Sequence, residues 1–170
     1  MRPFEIALSL YGLKEIKGSV HNPKILEFFK AANNSWVKDD ETAWCAAFMA
    51  YCLEEAGFDS TNKLNARSYL SWGVETKTPK IGDIVVFWRD SINGWQGHVG
   101  FYIGETDTTI KTLGGNQSDM VNISEYPKAQ LLGYRLVPEK TGSINKENVI
   151  KFINETRQSL DKLEEAIKNI

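Results

Sequence analysis

The hydrophobic pattern of this 170-residue chain changes its period once, from helical to alternating, between residues 73 and 79. Before the change, apolar residues at helical spacing, with Asn22-Pro23 as a start signal, predict helices over residues 4–11, 24–32, 43–56 and 66–72. After it, runs of β-formers predict five strands, over residues 84–88, 98–104, 109–113, 121–123 and 131–137. Because the strand connections are short, we expect an antiparallel sheet, and helices followed by a meander indicate an α+β fold.

The third predicted helix is apolar on all sides. Thr42 is its expected N-cap, Gly57 fits the left-handed residue after its end, and almost no polar stripe occurs before Glu54. A helix that is apolar all round belongs in the interior of a domain. Such a helix holds its first turn rigidly, which suits a catalytic side chain.

Nucleophiles and bases are scarce, with two cysteines and two histidines in the sequence. Cys45 falls in the first turn of the third helix, where unpaired N–H groups and the helix dipole stabilise both a thiolate and an oxyanion. Asp39, Asp40 and Glu41 lie just before it and oppose its ionisation. We therefore expect these acids to point away from the sulfur, with at least one of them capping the helix.

Cys52 follows Cys45 by seven residues on the same predicted helix, about 10 Å along its axis. A disulfide needs Cα atoms within about 7 Å of each other, so the two cysteines should not bridge. Two thiols at this spacing also make a poor zinc site. Cys52 is expected to be a small buried hydrophobe, and no metal or cofactor is expected.

His98 is the candidate general base. It begins a strand whose alternation places it on the opposite face from Val99, and Gly97 and Gly100 leave room around its ring. The alternative is a histidine that is merely packed or solvent-facing. The second histidine, His21, precedes a helix N-cap and is expected on the solvated surface.

A catalytic imidazole needs a partner that fixes its tautomer. Asn116 is the leading candidate, because it ends the strand after the His98 strand and adjacent strands lie about 5 Å apart. Gln117 and Asp119 are reserve candidates. The alternative interpretation of Asn116 is a simple turn residue after two glycines.

Trp44, Trp95 and Gln117 are the candidate substrate-binding residues. Trp44 neighbours Cys45 in sequence, and Trp95 lies in a loop just before His98. Loops beside a rigid site commonly contact substrate. For Trp44, packing in the core is the alternative.

Four motifs together resemble the CHAP family of cysteine- and histidine-dependent amidohydrolases and peptidases, which are papain-like and related to NlpC-type cell-wall hydrolases. They are Trp44 to Phe48, Gly82 to Phe87, Gly97 to Tyr102 and Gly114 to Gln117. The order and spacing agree over residues 4–138, and the likeness is greatest to a small branch found in bacteria and their phages.

The resemblance implies a papain-like fold and cleavage of a peptidoglycan amide bond, with Cys45 as nucleophile, His98 as base and Asn116 as orienting residue. The chain departs from the family at the third position, where relatives often carry an acid and the residues nearby are glycines. Some relatives bind calcium through acids before the cysteine. Here three clustered acids fall short of an oxygen cage of about six ligands.

Residues 139–170 differ from the preceding residues 1–138, which we take as the catalytic domain. A polar linker leads into a long predicted helix, in which apolar residues repeat at alternating spacings of four and three. Three interpretations stay open for this helix: docking on the domain, self-association through a coiled coil, and docking to another protein through residues 146–170.

Charge and hydropathy exclude several classes of function. The net charge is −2 with both signs interspersed, so no basic field for nucleic acid is present. No run of about 18 apolar residues predicts membrane insertion. The first residues do not resemble a secretory signal, so we expect synthesis in the cytoplasm and delivery to the wall by another route.

Three functions are consistent with these features. The first is a peptidoglycan hydrolase that acts on the stem peptide, as an N-acetylmuramoyl-L-alanine amidase or a peptide endopeptidase. The second is a non-catalytic phage or secretion-system protein on the same fold, assembled by its C-terminal helix. The third is an acyl- or amine-transferring enzyme with the same cysteine and histidine.

Overall fold

The computed structural model describes residues 1–138 and 157–158. The chain divides into two units, Met1–Pro138 and Glu139–Ile170. The predicted linker and C-terminal helix lie outside the described residues, with the exception of Arg157 and Gln158. These two residues are helical. The heptad seam and its association therefore stay predictions.

Three α-helices precede the sheet: α1 Pro3–Ser9, α2 Pro23–Ala31 and α3 Cys45–Glu55. The predicted start of α2 is confirmed, because the Asn22 side chain accepts a hydrogen bond from the Lys24 N–H and Pro23 occupies the first turn. The fourth predicted helix is a 3₁₀ helix, Ala66–Ser71, and a second 3₁₀ helix spans Lys128–Gln130. None of the helices described is both long and apolar enough to cross a bilayer.

Within residues 1–138, six strands form one antiparallel sheet in the order β1-β6-β2-β3-β4-β5. They are β1 Val74–Thr76, β2 Ile84–Trp88, β3 Gly97–Glu105, β4 Thr109–Gly114, β5 Asn122–Pro127 and β6 Leu131–Leu136. The α+β class and the antiparallel sheet are confirmed, while the expected number of about five strands was one too few. The strand missing from the prediction is the edge strand β1, which pairs with β6.

The third helix is buried, as its apolar composition predicted. It packs against α1 and α2 and against β3 and β4 of the sheet. Trp44, Phe48 and Leu53 are completely inaccessible to solvent. Burial of this kind contributes roughly 25 cal/mol per Å² of apolar surface, so the helix is fixed by the core and not by its own propensity.

The start of α3 differs from the prediction that Thr42 caps it. The helix begins at Cys45, and its N-cap is Trp44, which makes no side-chain capping bond. Thr42 is held in the preceding turn, because Asp39 Oδ1 accepts from its N–H at 2.7 Å and from its hydroxyl at 2.8 Å. The prediction that at least one of the acids before Cys45 caps this helix was therefore wrong as well.

The loop after β4 lies directly against the start of α3. A Cβ atom on Gly115 would lie 2.5 Å from Trp44 and 2.7 Å from Phe48, so only glycine permits this approach. The packing brings the end of β4 beside the N-terminus of α3. Asn116, which follows, lines the same cavity as Cys45, and Gln117 bonds to His98.

Candidate active site

A cavity of about 390 Å³ opens where the start of α3 meets the edge of β3 and the loop between β2 and β3. Cys45, the first residue of α3, and His98, the second residue of β3, both line it. The remaining lining residues come from the surrounding loops and from the first residues of the first 3₁₀ helix and of β3; they are Ala43, Leu64, Asn65, Ala66, Arg89, Asp90, Trp95, Gln96, Gly97 and Asn116. The fold therefore brings the predicted nucleophile and base to one cavity.

The Cys45 side chain lies almost entirely below the surface, with 8% of the residue exposed. Burial raises the pKa of the Cys45 thiol, and the N–H groups of Val99 and Ala46 together with the charge of Arg89 oppose this rise. The thiol thus keeps its proton in the resting site. A base must remove that proton before the sulfur attacks a carbonyl carbon.

Aromatic stacking holds the imidazole of His98. Its ring lies 4.8 Å from the Tyr126 ring at an interplanar angle of 20°, and Phe87 stacks on the same tyrosine at 4.7 Å. Burial lowers the pKa of His98 to about 4, although the hydrogen bond with Gln117 acts in the opposite direction. The ring is therefore neutral at pH 7 and able to accept a proton.

Gln117 fixes the tautomer of this ring. Its Nε2 donates to the backbone carbonyls of Thr112 at 3.3 Å and Asn122 at 2.6 Å, so Oε1 must be the atom that faces His98. Oε1 lies 2.9 Å from His98 Nε2 and also accepts from the Tyr126 hydroxyl at 3.2 Å. Since Oε1 only accepts, His98 Nε2 must carry the hydrogen.

The opposite ring nitrogen, Nδ1, is consequently the unprotonated one. It makes no hydrogen bond with any of residues 1–138, and the side chain that carries it lines the cavity with Cys45. A neutral imidazole with a free lone pair and a thiol that lines the same cavity are the groups required for nucleophilic attack assisted by a general base.

Asn116 was predicted to orient the imidazole, but the residue on the ring is Gln117, the reserve candidate. Asn116 lines the cavity instead. The backbone explains the exchange, because Asn116, two residues after the end of β4, has a left-handed φ of 55°, and Ser118 and Asp119 are left-handed too. This irregular turn breaks the alternation of a strand, so strand register could not show which side chain meets the ring.

Two predicted substrate-binding residues are inaccessible. Trp44 is completely buried against Phe28 and Phe48, and its indole N–H donates to Glu15 at 2.7 Å. Gln117 is 3% exposed, and both ends of its amide bond within the fold. Neither side chain is free to contact substrate, so both predictions are wrong.

Trp95, the third predicted substrate-binding residue, is 72% exposed and lines the cavity. It belongs to the β2–β3 loop, residues 89–96. Arg67, on the first 3₁₀ helix, holds this loop through three backbone carbonyls: Nε donates to Gln96 at 2.8 Å, Nη1 to Ile92 at 2.9 Å and Nη2 to Ser91 at 2.8 Å. The wall that carries Trp95 is therefore fixed from outside the cavity.

The sequence did not point to Arg67, Arg89 or Tyr126. Arg89 follows β2 directly, and β2 pairs with the His98 strand, so strand pairing could have placed it near the site. The contacts of Arg67 lie 24 to 29 residues away in the chain, and Tyr126 stacks on His98, which lies 28 residues before it. No local pattern reports such contacts.

Two of the three acids before Cys45, Asp39 and Asp40, bond to groups other than the thiol. Asp40 is completely buried and accepts from the N–H groups of Ile16 and Asn22, at 2.9 and 2.8 Å. His21, which was expected in solvent, donates through Nδ1 to Asp40 at 3.0 Å and is half-buried. Among residues 1–138 no group of three or more potential ligands is placed to hold a metal ion.

A comparison with protein-family models matches residues 37–116 to the CHAP domain. The matched range includes Cys45 and His98 and ends one residue before Gln117. A search of curated proteins finds no match to this chain.

Proposed function

We propose that this chain, whose residues 37–116 match the CHAP domain, hydrolyses an amide bond of peptidoglycan through Cys45, as expected of a family of cysteine- and histidine-dependent amidohydrolases of the cell wall. The observation that carries the proposal is the hydrogen bond between His98 Nε2 and Gln117 Oε1. It leaves Nδ1 as a base in the cavity that Cys45 lines.

In the first half of the reaction, His98 Nδ1 takes the thiol proton while Cys45 Sγ attacks the carbonyl carbon. The negative charge that develops on the oxygen is stabilised by N–H groups at the start of α3, where four such groups have no partner within a helix. The imidazolium then protonates the leaving amine. The acyl group remains on sulfur as a thioester.

In the second half, Nδ1 removes a proton from water, and the hydroxide equivalent attacks the thioester. The products are a carboxylic acid and the free thiol of Cys45. Gln117 has no charge, so its contribution is to hold the ring and accept from Nε2–H while the imidazolium exists. Tyr126 restricts the same ring by stacking on it.

The proposed substrate is a peptidoglycan stem peptide, cut either at its junction with the sugar or within the peptide. The cavity offers amide side chains from Asn65, Gln96 and Asn116, which can both donate to and accept from a peptide backbone. The exposed ring of Trp95 beside them supplies an apolar surface for the substrate.

The test is loss of turbidity by purified sacculi, measured with the full-length chain and with Cys45→Ala. Cys52→Ala is the matched control, because Cys52 is buried on the same helix and does not line the cavity. We expect Cys52→Ala to retain the activity and Cys45→Ala to lose it. Equal turbidity loss with and without the Cys45 thiol would reject Cys45 as the nucleophile. No turbidity loss with either chain would favour a non-catalytic role on this fold.

A further inference from the structure

Arg89 stands at the base of the β2–β3 loop, on the rim of the cavity. Its backbone is fixed at both ends, because its N–H donates to the Gln96 carbonyl at 3.2 Å and its carbonyl accepts from the Ser91 N–H at 2.6 Å. Arg89 is a lining residue of the same cavity as Cys45 and His98. An exposed cation on a fixed backbone therefore stands at the cavity that a substrate would enter.

The positive charge of Arg89 is unpaired within residues 1–138. The guanidinium of Arg67 bonds to three carbonyls, and Arg135 bonds to Glu75 and to the Leu70 carbonyl. Arg2 pairs with Glu5. Arg89 makes no such hydrogen bond or ion pair with any residue that the structure describes.

The neighbouring carboxylate does not neutralise Arg89. Asp90 also lines the cavity, yet no ion pair of 4.0 Å or less joins it to Arg89. Among the lining residues, Arg89 is the one permanent cation. Its charge lowers the pKa of both the Cys45 thiol and His98, which places it within electrostatic reach of both reacting groups.

We propose that Arg89 binds a free carboxylate of the stem peptide close to the amide that is cut, and so selects substrates that carry this group. The inference rests on the proposed function. A guanidinium binds a carboxylate through two parallel hydrogen bonds, which fixes orientation as well as position. Stem peptides offer two sources of this group, the α-carboxylate of a γ-linked glutamyl residue and the C-terminal carboxylate.

The experiment measures binding without cleavage, by calorimetry on full-length Cys45→Ala. Three muramoyl peptides of one sequence are compared: one with both carboxylates free, one amidated at the glutamyl α-carboxylate, and one amidated at the C-terminus. Amidation at one of the two positions should weaken binding roughly tenfold, the size of one hydrogen bond to a charged group. The position that matters identifies the source of the carboxylate.

Adding Arg89→Gln to the Cys45→Ala chain should bring the three affinities to within about twofold of each other, and Arg89→Lys should retain part of the preference. Lys77→Gln is the matched control, because it removes one positive charge from an exposed site that does not line the cavity. It should leave the preference intact.

Equal affinities for the three peptides before Arg89 is changed, or an undiminished preference after Arg89→Gln, would overturn the inference. Failure of all three peptides to bind would overturn it as well. The outcome is separable from that of the proposed function. Binding with carboxylate preference but no cleavage by the unmodified chain rejects the hydrolase alone, whereas cleavage with no preference rejects the role of Arg89 alone.

Discussion

Acidification from neutral pH should destabilise this fold through the buried imidazole of His98. The folded chain keeps the imidazole neutral, because burial lowers the pKa of His98 to about 4 from its usual 6.5. The unfolded chain exposes the same ring to water. Between these two values the unfolded state binds a proton that the folded state does not, so stability falls as the pH falls through this range.

The magnitude follows from the two pKa values. Each pH unit of difference corresponds to about 1.4 kcal/mol, so the free energy of unfolding should lose about 3 kcal/mol by the time the pH reaches 4. Between pH 7 and pH 5 the expected loss from His98 is about 2 kcal/mol, given the same pair of values. A typical domain has a stability of only about 5–15 kcal/mol, so this loss is measurable.

The assay is equilibrium urea unfolding of the full chain at pH 7 and pH 5, followed by tryptophan fluorescence. In His98→Asn the loss between the two pH values should be smaller by about 2 kcal/mol, since asparagine does not titrate. His21→Asn is the matched control, because it removes the other histidine, which bonds to Asp40 outside the cavity. If His98→Asn and the unmodified chain lost equal stability on acidification, the reasoning about the buried imidazole would be refuted.

Two further substitutions test the positioning of the site. Gln117→Leu removes the acceptor of the His98 Nε2–H hydrogen bond, so kcat should fall roughly 10- to 100-fold. The ¹⁵N NMR signals of the His98 ring should then no longer report a single Nε2–H tautomer. An unchanged tautomer would contradict this prediction. Arg67→Met releases three carbonyls of the β2–β3 loop, so KM should rise severalfold while kcat changes little, and Arg67→Lys should not restore KM because it lacks the guanidinium fork. If kcat of Arg67→Met fell by the same factor as KM rose, the substitution would have disrupted the fold as a whole and not only the loop.

The regular elements of the fold could be predicted because each has a local cause. Asn22-Pro23 starts α2 through one capping bond, and the apolar α3 is buried as its composition requires. The edge strand β1 has no comparable signal. It consists of three residues, two of them exposed, and it is a strand because β6 pairs with it.

The wrong predictions about the site have a common origin in tertiary contacts. Thr42 has the side chain of an N-cap, but Asp39 binds it in the preceding turn. Asn116 and Gln117 are adjacent polar residues after two glycines, and only the left-handed turn at Asn116 decides which of them reaches His98. Cys45 and His98 could be identified from the sequence because the chain has only one other cysteine and one other histidine.

The central claim is that Cys45 hydrolyses an amide of the wall. The most direct measurement is mass spectrometry of sacculi digested in ¹⁸O-labelled water by the full chain and by Cys45→Ala. Our account predicts fragments that each have a new free amine or a new carboxyl group with one ¹⁸O atom, and none of these with Cys45→Ala. Fragments cut between sugars, acyl groups moved to an added amine without ¹⁸O, or products that persist in Cys45→Ala would contradict it.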